Sequence, residues 1–152
     1  MYTDTVTVFN KYEGQTGISW YPRVISGCDL VTDRAANVAK TGLDTADTAK
    51  LHILYRTENG EKVINNHGAT FKWLPPKKWK AMEDKSGYIT FQPGDLILRG
   101  EYQEEVIQDS AYSSRVSNGF YEHLNKTEDD VYLITSVGGP YTLIKHFEIG
   151  AK

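Results

Sequence analysis

The chain has 152 residues, 39% of them hydrophobic and 24% charged, which suits one folded domain with a true core and leaves too little for a second. A formal net charge of −3 excludes broad phosphate neutralisation as a way of working, because domains that grip nucleic acid so carry a basic excess. The single cysteine, Cys28, excludes an internal disulfide, and no apolar run approaches the roughly 18 residues of a membrane-spanning helix.

The opening MYTDTVTVFN lacks a basic region followed by an apolar stretch, so synthesis and residence in the cytoplasm are expected. With 10 Tyr, 5 Phe and 3 Trp, the composition favours strands. In TVTVFNKY (5–12) the alternation places Val6, Val8 and Tyr12 on one face and Phe9 on the other. A Gly-containing turn follows, then ISWYPRVI (18–25), where Ile18, Trp20 and Val24 share a face and Pro22 demotes the segment to an edge or a bulge. The two segments predict an opening hairpin.

From Asp29 to Thr48 the chain becomes rich in Ala, Thr and Asp, with no sustained period, and reads as an extended loop or arm. Leu30, Val31, Val38 and Leu43 supply anchors with which such an arm would order against a partner; a plain flexible excursion is the alternative. Alternation resumes at 49–57, with Leu51, Ile53 and Tyr55 on one face and His52, Leu54 and Arg56 on the other. Glu58-Asn59-Gly60 signals a hairpin, and Asn65-Asn66-His67-Gly68 a second turn. The strand predicted at Thr70–Leu74 must end at Pro75-Pro76, and Lys77–Asp84 suits two helical turns with Trp79 and Met82 inward.

Gln92-Pro93-Gly94-Asp95 suits a type II turn and predicts a hairpin between 88–91 and 96–102. Asp109 suits a cap for helix running toward Asn125, split in two by Ser117-Asn118-Gly119. At the end, VYLITSVGGPYTLIKHFEIGAK (131–152) reads as strand, Gly-Gly-Pro turn, strand, with Phe147 and Ile149 toward the core and His146 and Glu148 outward. The expected fold is mainly β: a small β-barrel or sandwich of antiparallel hairpins, one domain over 1–152, with a long arm at 29–48 and one or two short helices.

Chemistry-bearing patterns are sparse. Cys28 sits in SGCDL without a nucleophile-elbow pattern, and His52, His67, His123 and His146 lie in four separate segments. No catalytic residue, metal ligand or cofactor is therefore assigned. Glu104-Glu105 and Glu128-Asp129-Asp130 read as solvated turn acids, and Lys77-Lys78-Trp79-Lys80 as a solvated face pinned by Trp79. Trp20, Trp73 and Trp79 read as core, with a small-ligand pocket as the alternative.

Several segments resemble a family of small proteins encoded by tailed bacteriophages and prophages of Gram-positive bacteria: TDTVTVFNKY, WYPRVI, LPPKKW, ITFQPGDLILRGEY, GFYEHLN and above all ITSVGGPYTLIKHFEIGAK. The resemblance implies a non-enzymatic virion protein, a minor capsid or head-tail connector component, most closely a head-closure or stopper-type ring protein joining portal or adaptor to tail. It further implies a homo-oligomeric ring, sixfold or twelvefold, passage of DNA without sequence recognition, and no membrane partner. Glu128, Asp129 and Asp130, or alternatively Glu104 and Glu105, are then expected on a lumen-facing loop past which DNA slides. Tail terminator, capsid decoration protein and small-ligand-binding cytoplasmic β-barrel are the alternatives.

Overall fold

The computed structural model describes residues 1–32 and 48–152. Strands β1 (Asp4–Gly14) and β2 (Gly17–Thr32) form a long antiparallel hairpin with Val6 opposite Ile25 and Gly14 opposite Gly17. Six strands make a closed antiparallel barrel in the order β1, β8 (Leu96–Arg99), β10 (Val131–Tyr141), β11 (His146–Ala151), β3 (Ala49–Leu54) and β2, and the pairing of β1 with β2 completes the circuit. The short β9 (Ile107–Gln108) adds to β2.

Period-two alternation fills the interior: Val6, Val8, Ile25, Leu51, Ile53, Ile97, Phe147 and Ile149 belong to one buried cluster. Phe147 is its hub, with ring centroids of Trp73, Phe91 and Tyr55 at 5.2, 5.0 and 5.4 Å. The opposite face of β1 and β8 is buried as well. There Phe9, Leu96 and Leu98 pack against Trp20, Ile107, Phe120 and Leu124. The cover comes from the 3-10 helix Asp109–Tyr112 and the helix labelled α2 below (Phe120–Thr127), the two short helical pieces that the Ser-Asn-Gly break predicts.

At Tyr55 the chain leaves the barrel for a second sheet, β4 (Arg56–Glu58), β5 (Glu61–Asn66), β6 (Ala69–Trp73) and β7 (Tyr88–Ile89). Asn59-Gly60 and His67-Gly68 turn its two hairpins, all four residues at positive φ, as tight primed turns require. Helix α1 (Pro76–Ala81) follows Pro75 and buries Trp79 completely, while Met82, expected to face inward within the helix, is its half-buried C-cap. Helix α2 closes the series before β10.

Three expectations are corrected. Residues 88–91 and 96–102 do not form a hairpin: the Gln92–Asp95 turn is present, but β7 pairs in parallel with β6 while β8 enters the barrel. The cause is buried polar chemistry, since Asn10 accepts the Thr90 N–H at 3.2 Å and donates to the Thr90 carbonyl at 2.7 Å, taking the place of a ladder partner. Gly138-Gly139-Pro140 is not the final turn but a register shift inside β10; the chain reverses at 142–145. Glycine and proline punctuate a bulge as readily as a turn.

The arm does not begin at Asp29. Asp29–Thr32 continue β2 and pair with β3, and the Asp4 carboxylate accepts the Leu30 N–H at 2.8 Å where β1 begins. Pro22 fits its predicted edge character locally: among the described residues β2 pairs only with β1 between Tyr21 and Cys28.

Candidate functional site

The unpaired flank of β2 floors an open cleft of about 470 Å³, walled by Asn66 and Phe71 of the small sheet, the 83–87 loop and residues 104–106. At its base Arg23 is only 7% exposed. Its guanidinium donates to the carbonyls of Tyr88 (2.7 Å), Lys85 (2.7 Å) and Pro22 (3.0 Å), so it staples the barrel to the 85–88 segment where no strand ladder does so. Planar, multiply donating Arg suits this task in a way Lys does not.

Lys85 is buried as well, at 6% exposure. It donates to the carbonyls of Met82 (2.6 Å) and Lys80 (3.3 Å) and lies 4.3 Å from the Tyr12 ring centroid and 5.2 Å from that of Trp79. Burial lowers the pKa of both cations from their ordinary values; at Arg23 the charges of Tyr21 and Glu104 oppose the shift. Neither cation has an ion-pair partner among the described residues, so carbonyl dipoles and ring faces hold both charges. Around the mouth stand the exposed carboxylates Glu83, Asp84, Glu104 and Glu105, over the apolar surface of Tyr21, Phe71 and Val106. The cleft can seat an apolar group and meet a cation at its mouth.

A second feature faces solvent at the end of the β10–β11 hairpin. Leu143 is 99% and Ile144 67% exposed, with Tyr141 and Leu54 beside them at 43% and 42%. The base of this tip is fixed: the Tyr55 hydroxyl donates to the Tyr141 carbonyl at 2.7 Å, and the Tyr55 N–H to the Lys145 carbonyl at 3.2 Å.

The residues singled out from the sequence are scattered. Leu30 is barrel core at 5% exposure, opposite Leu51, rather than an arm anchor; Val31 is half exposed on the same strand. Val38 and Leu43 lie outside the described residues. Glu128 and Asp129 are exposed between α2 and β10, whereas Asp130 is half-buried, 3.4 Å from Arg99 and accepting the Tyr132 hydroxyl at 3.2 Å. Trp20 and Trp79 are buried, Trp73 packs on the barrel core, and none of the three lines the cleft. Cys28 is buried, with burial pushing its thiol up to about 12.

The sequence separates the histidines, but β3–β11 pairing brings His52 and His146 to either side of Glu148, at 4.0 and 3.4 Å. No group of three His, Cys, Asp or Glu among the described residues is placed to hold a metal ion. No helix among them is long and apolar enough to cross a membrane. Reasoning from sequence misses the Arg23–Lys85 pair; its one local signal is a cation interleaved with aromatics in Trp20-Tyr21-Pro22-Arg23.

No curated protein and no solved structure matches the chain. A family model described as a family of unknown function (DUF6751) matches it over residues 1–152, its whole length. The chain, a closed six-stranded barrel with a cationic-floored cleft and an apolar hairpin tip, belongs to that family.

Proposed function

We propose that this protein is a structural component of a tailed-phage virion, a head-closure or stopper-type subunit of the head-tail connector that works by shape and adhesion. The observation that carries the reading is the hairpin tip. Two large aliphatic side chains, Leu143 and Ile144, are held in water on a base that is hydrogen-bonded in place. An apolar element so presented gains free energy only when a neighbour covers it, which is the condition of a subunit in an assembly.

The remaining parts agree with that role. A closed barrel withdraws most strand edges from unwanted pairing, so contacts are left to tips and loops. Repetition around a sixfold or twelvefold axis lets a modest contact suffice, because each subunit makes it twice. In the ring, the lumen-facing acids reduce to Glu128 and Asp129, since Asp130 is engaged by Arg99; their exposed charge repels the passing phosphate backbone and lets it slide.

A ligand-binding barrel is less well supported. Val8, Ile25, Leu51, Ile97, Phe147 and Ile149, each at most 1% exposed, fill the interior where a ligand would sit. Quantitative mass spectrometry of purified phage particles tests the proposal. A ring-scale copy number, far below the major capsid protein, is expected; a copy number on the scale of the shell would make it a decoration protein, and absence from particles would end the virion reading.

A further inference from the structure

The hairpin tip and the cleft lie at opposite ends of the same small sheet. Lys145, at the base of the tip, donates to Thr57 Oγ1 at 3.2 Å, and Thr57 pairs with Lys62 near the start of β5. Asn66, at the far end of β5, lines the cleft. Lys62 and Asn66 lie four positions apart along the strand, about 13 Å at the usual rise per residue. Because the Tyr55 hydroxyl and N–H pin the base of the tip at the Tyr141 and Lys145 carbonyls, it cannot fold back into its own cleft.

We infer that the cleft receives the β10–β11 tip of a second copy of this chain, Leu143 and Ile144 seating on Tyr21, Phe71 and Val106 while Lys145 meets the carboxylates at the mouth. Charge complementarity selects this occupant. Among the described residues, Glu83, Glu104 and Glu105 have no ion-pair partner, and neither does Lys145. An acidic mouth beside the apolar surface of Tyr21, Phe71 and Val106 fits a segment that presents two aliphatic side chains and then a lysine, and Leu143-Ile144-Lys145 has that order.

The contact is heterologous, since tip and cleft are different surfaces, and each copy carries one of each. Such contacts run head to tail, giving a ring where the rotation closes and a filament where it does not. The inference rests on the connector reading for the closure of the ring and not for the contact itself. Arg23 and Lys85 belong to the site as its floor: with their charges spent on backbone carbonyls and aromatic rings, they brace the 82–88 segment that forms one wall.

The test uses full-length chains carrying one new cysteine each, with Cys28 buried and out of reach. Leu143→Cys is mixed at high concentration with Val106→Cys under mild oxidation, the two chains distinguished by mass, and the mixed disulfide is followed against time. Val116→Cys, 72% exposed and outside the cleft, replaces Val106→Cys in the control. The tip-to-cleft pair is expected to cross-link faster than the control by about tenfold or more, as docking raises effective concentration. Adding Glu104→Lys and Glu105→Lys to the cleft partner is expected to remove most of that advantage, and a Leu143→Cys/Val106→Cys double variant to give a ladder of covalent oligomers beyond the dimer.

Equal rates for cleft and control partners, or a double variant that stops at dimers, would overturn the inference. Its failure and that of the connector reading separate cleanly. No preferential cross-link in a protein present in phage particles at ring-scale copy number removes the contact and leaves the connector; a preferential cross-link in a protein absent from particles does the reverse.

Discussion

The carboxylate of Asp109 accepts the backbone N–H of Phe120 at 2.9 Å, across 11 residues of chain, and the same oxygen accepts the Trp20 indole N–H at 2.9 Å. Asp109 thus caps α2 from outside it, while Gly119 at its N-cap offers no side chain. This junction holds the second core closed over Phe9. Asp109→Ala is expected to cost about 2–3 kcal/mol, combining a lost cap with an orphaned buried indole donor. Gly119→Ala is expected to be costly as well, since its φ is +101° and a Cβ there would stand 2.8 Å from the Asp109 carboxylate. Urea denaturation of both variants checks this; wild-type midpoints would remove Asp109 from the account of the second core.

Phe147 sits at the centre of the barrel against Tyr55, Trp73 and Phe91, and β11 lies between β10 and β3 rather than at an edge. Phe147→Ala is expected to cost about 3–5 kcal/mol as transfer and cavity terms add. Deleting 146–152 removes an interior barrel strand and is expected to abolish cooperative folding. A truncated chain that still melted in one sharp transition would contradict the closed barrel.

Arg23 replaces a strand ladder with three charge-assisted hydrogen bonds, so Arg23→Lys, which keeps the charge, is expected to fail as a conservative change. With a single ammonium reaching fewer of the three carbonyls, the expected loss is about 2–4 kcal/mol. Limited proteolysis supplies the local readout: cleavage at 82–88 should accelerate more than global unfolding predicts. Cleavage that tracks global stability alone would show that Arg23 does not brace that wall.

Asp95 is fully buried, and burial pushes its carboxyl up to about 7 against the N–H donors of Lys11, Asn10 and Gln92. A folded-state pKa above the unfolded value means the native protein binds the proton more tightly. The stability from this group is complete below about pH 4, the unfolded carboxyl range, and is lost as pH rises through about 7. Other carboxylates superimpose their own trends, so the difference between wild type and Asp95→Asn isolates the effect. That difference is expected to shift against wild type between pH 4 and 8; a shift in favour of wild type would mean that the three donors keep Asp95 ionised.

Local signals made much of this fold legible. Asn59-Gly60 and Gly68 mark hairpins because few residues accept positive φ, and Leu51, Ile53 and Tyr55 reveal an inward face because a strand's period is two. Pro93-Gly94 marks a turn equally well, but the destinations of its flanking strands depend on Asn10, 80 residues away from Thr90. Likewise Gly138-Gly139-Pro140 looks locally like a reversal and is a bulge, a difference that only the register against β11 decides.

The cleft was less legible for the same physical reason. Arg23 finds the Lys85 carbonyl across 62 residues, and no motif ties a buried guanidinium to backbone carbonyls and rings. The exposed tip is a different case: Leu143 and Ile144 continue an ordinary hydrophobic run, so only the position of the reversal at 142–145 shows that they point into water.

Electron microscopy of virions carrying a label on this protein tests the central claim most directly. Density or gold confined to a single ring at the portal vertex, where head meets tail, is the predicted result. Label spread over the shell, or missing from mature particles, would contradict it.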